Sequence, residues 1–163
     1  MKLQVHAALG VRCLEFLRRK LRQFDTSRLD YVRLYDRTGQ TATQGLWGRC
    51  SCPDRNKKLG CRIRCSVSIA AREFPYRAKW VVGTRAMDKL QWEWIWREER
   101  LQTMEEALVL IAGHEAFHWL RQSRQIPGAN RETQANRYGF AWLDEWRGAI
   151  ARAGDQEKGG EPS

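Results

Sequence analysis

Three residues in one short run carry the strongest chemical signal: His114, Glu115 and His118, in the order H-E-x-x-H. On a helix, positions i and i+4 lie nearly above one another, so both imidazoles share a face and can grip one metal ion. Glu115 is the next residue round the helix. It is suited to take the proton of a water held by that metal, the general-base role in metal-assisted hydrolysis. Two imidazoles leave a catalytic zinc one protein ligand short. His6 is the only other histidine. Arg121 and Arg124 stand where H-E-x-x-H-x-x-G-x-x-H would need its glycine and its third histidine. The third ligand is therefore sought among carboxylates further along, and Glu132 is the candidate. The stretch Ile126-Pro127-Gly128-Ala129-Asn130 stops the first helix and lets the chain reverse. A second helix, capped by Asn130, then carries Glu132 in its first turn, where the helix dipole favours an ionised carboxylate. Asn136 lies one turn on, placed to hydrogen-bond a ligand histidine through its second nitrogen.

These groups work only if helices hold them. Thr103 followed by Glu106 forms a capping box that starts a helix at Met104. Ala107, Leu108, Leu110, Ile111, Phe117 and Leu120 then recur at helical spacing. Ile111, His114 and His118 share a stripe, which turns both imidazoles inward. After the turn, Ala135, Tyr138, Phe140, Ala141, Trp142, Leu143 and Trp146 supply the apolar positions of the second helix.

The run His114-Glu115-x-x-His118, followed by Glu132-Thr133-Gln134-Ala135-Asn136, resembles the small gluzincin metallopeptidases of the ImmA/IrrE-like type. The resemblance spans about residues 102–146. It implies a zincin-like fold, one Zn2+ held by His114, His118 and Glu132, Glu115 as general base, and a protein or peptide substrate. The implied activity is that of a zinc metalloendopeptidase, a hydrolase. No tyrosine or histidine matches the residue that steadies the oxyanion in larger gluzincins.

The remaining chain suits one domain. Residues 7–24 form a basic amphipathic helix, with Leu14, Leu17, Leu21 and Phe24 on one stripe and Arg18, Arg19, Lys20 and Arg22 around it. Such a helix packs its stripe and solvates its charges, or meets a polyanion. Strands are expected at residues 31–35, 61–69, 79–82 and 91–96. The last brings Trp92, Trp94 and Trp96 to one face, either as cover for the helices or at a sheet edge that receives an extended substrate. Cys50, Cys52, Cys61 and Cys65 leave two readings open: a second, structural zinc, or small core residues of the strand that continues through Val67 and Ile69. Disulfides are not expected in a reducing compartment. No apolar run is long enough to span a membrane, and the first residues lack the pattern of a signal peptide, so a cytoplasmic location is expected.

Charge divides the chain. Residues 1–72 hold 16 Lys and Arg against 5 Asp and Glu, and residues 73–163 hold 13 against 14. The basic half suits a nucleic acid or other polyanion beside a separate hydrolytic site. A nucleic-acid-associated regulatory protein, with zinc but without proteolysis, is therefore the alternative function. The expected architecture is α+β over residues 1–150. It has a basic N-terminal helix, a small mixed sheet from about Tyr31 to Trp96, and two C-terminal helices carrying the metal site. Residues 151–163 read as a disordered tail.

Overall fold

Alternation of apolar and polar residues builds the sheet. In the strand Cys61–Ser68, Cys61, Ile63, Cys65 and Val67 turn inward and are buried, and Ile69 beyond it is buried too. Arg62, Arg64 and Ser68 are only partly covered. The computed structural model describes residues 1–38, 45–53 and 60–158, the side chains of 155–158 excepted. The elements run β1 (Lys2–His6), α1 (Val11–Arg22), β2 (Leu29–Asp36), β3 (Gly45–Ser51), β4 (Cys61–Ser68), β5 (Tyr76–Ala86), β6 (Trp92–Leu101), α2 (Met104–Gln122) and α3 (Glu132–Lys158).

Among the described residues the fold is α+β with a small mixed sheet and three α-helices. The sheet has the order β1-β2-β4-β3. β1 and β4 run parallel to β2, and β3 runs antiparallel to β4 at the edge. β5 and β6 form a separate two-stranded antiparallel sheet, so the expected single sheet reaching Trp96 is in fact two. β1 and β3 were not anticipated. β1 has only Leu3 and Val5 as its alternating apolar pair, and β3 contains Gly45 and Gly48, which weaken a strand signal.

Helices and sheet share one core, in which Leu17 and Leu21 of α1, Val32 and Leu34 of β2, Leu110 and Trp119 of α2, and Trp142 of α3 are all buried. Of the basic residues expected to be solvated on α1, Lys20 is buried instead. Its ammonium bonds both Glu145 oxygens at 2.9 and 2.8 Å and lies over the Trp142 ring. Phe16 takes part of the burial expected of Leu14 and Phe24, because it meets Trp142 and Trp146 edge-on.

The start of α2 is capped as expected on one side: the Thr103 side chain accepts the Glu106 N–H at 3.2 Å. The Glu106 carboxylate reaches Gln102 N–H at 2.8 Å rather than the cap residue, and it also receives Arg147 from α3. Arg147 bonds Glu99 of β6 as well, at 2.8 Å, so one guanidinium ties three elements together. α3 stays helical through Lys158, beyond the point at which order was expected to end; residues 159–163 lie outside the described residues. No helix among the described residues is long and apolar enough to cross a membrane.

α2 and α3 meet where two glycines face each other. A Cβ on Gly139 would stand 2.6 Å from the Leu110 carbonyl oxygen and 3.2 Å from the His114 nitrogen, and one on Gly113 would stand 2.9 Å from Trp142. Glycine inside a helix costs about 1 kcal/mol relative to alanine, so its place here is explained by the close crossing. Gly139→Ala is expected to destabilise the fold by about 1–3 kcal/mol, as overpacking outweighs the gain in helix propensity. Because the crossing sets the distance between the two helices that bear the candidate ligands, zinc affinity should fall as well. Thermal denaturation and zinc titration of the variant check both.

Candidate metal centre

Helical spacing and the interhelix turn bring three predicted ligands to one point. His114 and His118 stand one turn apart on α2, with their Nε2 atoms 3.1 Å from each other. The chain then turns through Arg124, in the left-handed region at φ 60°, and Gly128 at φ 109°. Glu132 follows at the first position of α3. Its Oε2 lies 3.3 Å from His114 Nε2 and its Oε1 3.3 Å from His118 Nε2. Among the described residues, this is the group of His, Cys, Asp and Glu side chains that could hold a metal ion. A tetrahedral ion with ligand bonds of about 2.0–2.1 Å sets its ligand atoms roughly 3.3 Å apart, so the donor set and its spacing suit zinc. The two histidine side chains are 14% and 11% exposed while Glu132 is 75% exposed, which leaves the carboxylate side open to solvent.

The support of the imidazoles differs from expectation. Asn130, expected as a helix cap, places its side-chain oxygen 2.7 Å from His118 Nδ1. That oxygen accepts the Nδ1 proton and so leaves the lone pair on Nε2, facing Glu132. Asn136, expected to support a histidine, stands within hydrogen-bond influence of His114 and also donates its side-chain N–H to the Val81 carbonyl at 2.7 Å, which ties α3 to β5. His114 Nδ1 is buried without a hydrogen-bond partner, and its ring meets Trp80 edge-on at 5.5 Å. Burial lowers the His114 pKa and the neighbouring His118 adds to this, against Glu132 and Asn136, which favour the charged form. A neutral imidazole is the form that can bind a metal.

Glu115 is buried beside the ligands, 3.9 Å from His114 Nε2. The edge strand β3 passes directly over it. A Cβ on Gly48 would lie 2.3 Å from the Glu115 Oε1, so only glycine admits the carboxylate there. Burial pushes the Glu115 pKa up to about 7; His118 opposes this, Glu132 adds to it, and the Cys50 backbone N–H, bonded to the carboxylate, opposes it. A carboxyl near neutrality can both accept and release a proton. Gly48 was not legible as a site residue, because its role comes from a strand remote in sequence.

A cleft of about 860 Å³ opens above these groups. Leu46, Trp47 and Gly48 of β3 line one side, and Lys79, Trp80, Thr84, Trp94 and Trp96 of the β5–β6 hairpin line the other. Lys79 and Arg131 are the cations along its walls. The tryptophans of β6 do not cover the helices: Trp92, Trp94 and Trp96 are 66%, 58% and 52% exposed. Nor is β6 the edge of the larger sheet; β3 is.

The cysteines depart from both the zinc reading and the expectation of no disulfide. Cys52 and Cys61 are joined in a disulfide, and Cys65 is buried in the core as the strand pattern predicts. Cys50 remains a thiol 3.8 Å from the Cys52 sulfur. A pair locked in a disulfide supplies no thiolate ligands, so the four sulfurs do not form a zinc site here. Of the basic residues expected to meet a polyanion, Arg18, Arg19 and Arg22 are exposed on α1. Arg55, Lys57 and Lys58 lie outside the described residues. Comparison with protein-family models, curated proteins and solved structures gives no match to this chain.

Proposed function

We propose that this chain is a zinc-dependent endopeptidase of the gluzincin type, with a zincin-like domain. One observation carries the reading: His114, His118 and Glu132 converge at metal-ligand spacing, with the Glu115 carboxyl buried beside them at the foot of an open cleft. His114 and His118 would bind zinc through Nε2 and Glu132 through a carboxylate oxygen. When bound, zinc polarises the scissile carbonyl and lowers the pKa of water towards about 7. Glu115 accepts the proton of the attacking water on a carboxylate oxygen and delivers it to the leaving amine nitrogen. The Cys50 N–H and the backbone at Gly48 hold that carboxylate in one orientation. Asn130 fixes the His118 ring and its tautomer.

An extended peptide suits the cleft. Among the described residues β3 pairs on one side only, so its other edge offers backbone N–H and C=O groups to a polypeptide strand. Lys79 and Arg131 bring positive charge to the walls, where the carbonyl oxygen becomes negative as the bond is attacked. The test is cleavage of an unfolded protein or peptide pool, read by mass spectrometry, before and after metal removal. Chelation is expected to abolish new peptide termini, and about one equivalent of zinc per chain is expected to restore them. Cleavage that persists in the metal-free chain would overturn the reading.

A further inference from the structure

We propose that the outward face of the four-stranded sheet, opposite the face that packs on α2, is a binding surface for single-stranded nucleic acid. The inference does not depend on peptide hydrolysis. It rests on what strand register puts side by side. Val32, Ile63, Leu34 and Cys65 face the core, so their alternating neighbours face away from it. Tyr31 then lies beside Arg62 and Arg33 beside Arg64. Arg49 of β3 is opposite Arg64, and Trp47, two residues before Arg49 on this edge strand, stands at the rim of the face, where it also lines the cleft. Lys2 of β1 stands beside Tyr31 and His6 beside Tyr35.

Two kinds of chemistry alternate on this face. One is cationic. None of Arg33, Arg37, Arg49 and Arg64 has a carboxylate partner among the described residues; Arg64 bonds the Tyr31 hydroxyl at 3.0 Å instead. The two carboxylates found in the four strands stand at the ends of β2. Asp30 lies 3.6 Å from Arg62, and Asp36 accepts the Thr38 N–H. The other is planar and aromatic. The Arg33 guanidinium sits 4.2 Å over the Tyr31 ring, Arg37 5.3 Å over Tyr35, and His6 stacks on Tyr35 at 5.1 Å. Trp47 is 46% exposed. Arg33 gives its Nε–H to the Gln4 side-chain oxygen and Arg64 bonds Tyr31, and the remaining N–H donors at the rims of these stacks face phosphate oxygens. The outer planes of these partly exposed stacks accept bases only where the bases are unstacked, which selects a single strand over a duplex. An acidic protein would use the same charges but not the planes.

The deciding experiment measures fluorescence anisotropy of labelled oligonucleotides with the full chain. Single-stranded DNA and RNA, the matching duplex and polyglutamate are compared. Four phosphate contacts predict that single-strand affinity falls roughly 50-fold between about 50 and 200 mM salt. Arg37→Ala with Arg49→Ala is expected to weaken single-strand binding about tenfold or more and to flatten the salt slope by roughly half. Trp47→Ala is expected to weaken binding and leave the slope unchanged, because stacking releases no counterions. Arg18→Ala with Arg19→Ala removes equal charge from α1 and is expected to have little effect. Circular dichroism and zinc content report whether each variant is folded. Should the sheet variant fail to fold, Arg37→Gln and Arg49→Gln made singly, each with partial loss, carry the same test. The proposal fails if wild type binds no single strand at low salt. It fails equally if duplex or polyglutamate binds as tightly, or if the α1 variant loses as much as the sheet variant.

Discussion

Glu115→Gln is expected to leave one zinc per chain in place and to lower the rate of peptide cleavage by roughly 10²–10⁴-fold, the range that a positioned general base contributes. The amide keeps the shape of the carboxyl, so it can still lie under Gly48, where the space is too small for any larger change. It has no carboxylate oxygen to accept a proton at neutral pH. The three ligand residues are untouched, which is why metal content and activity should separate. The measurement is cleavage rate beside elemental zinc analysis on the same sample. If wild type and variant cleave equally, Glu115 is not the base. If neither cleaves any peptide while both hold zinc, the zinc protein without proteolysis becomes the better account, and the pair of measurements tells the two cases apart.

His118→Ala is expected to have the second large effect, loss of zinc. Its Nε2 lies 3.1 Å from the Nε2 of His114 and 3.3 Å from Glu132, so the ring forms one corner of the candidate ligand triangle. Removing residues that only support ligands costs roughly 10–100-fold in metal affinity, and removing a ligand should cost more. Asn130→Ala gives the internal scale. It leaves all three ligands but frees the His118 ring and its tautomer, so affinity should fall by roughly 10–100-fold without loss of stoichiometry at saturating zinc. Competition against a zinc chelator of known affinity measures both variants. A His118→Ala chain that keeps wild-type affinity would exclude this centre.

Local rules made much of this centre readable. The i, i+4 relation of the two histidines follows from helix geometry alone, and Thr103 and the Ile126–Asn130 turn mark where the helices begin and end. Alternation identified β4 and the burial of Cys65, because a half-buried strand needs period two. These signals depend on neighbours along the chain, so the amino-acid sequence carries them without help.

What the chain order did not reveal depends on residues far apart. β3 was missed because its glycines argue against a strand, yet Gly48 is required for the strand to pass over Glu115. Gly113 and Gly139 look like helix weaknesses until the two helices cross there. Asn130 meets His118 instead of capping α3, and Asn136 reaches Val81 of β5 as well as His114, since hydrogen-bond partners are set by how α3 leans on α2 and β5. Lys20 read as solvated until Glu145, 125 positions away and itself half exposed, covered it. The Cys52–Cys61 disulfide likewise required β3 and β4 to lie side by side. Sequence by itself determined the candidate ligand residues and the helices that hold them. Only tertiary packing decided which backbone covers Glu115, which asparagine orients His118, and which basic residues share one face, because each of those choices is made between elements rather than within one.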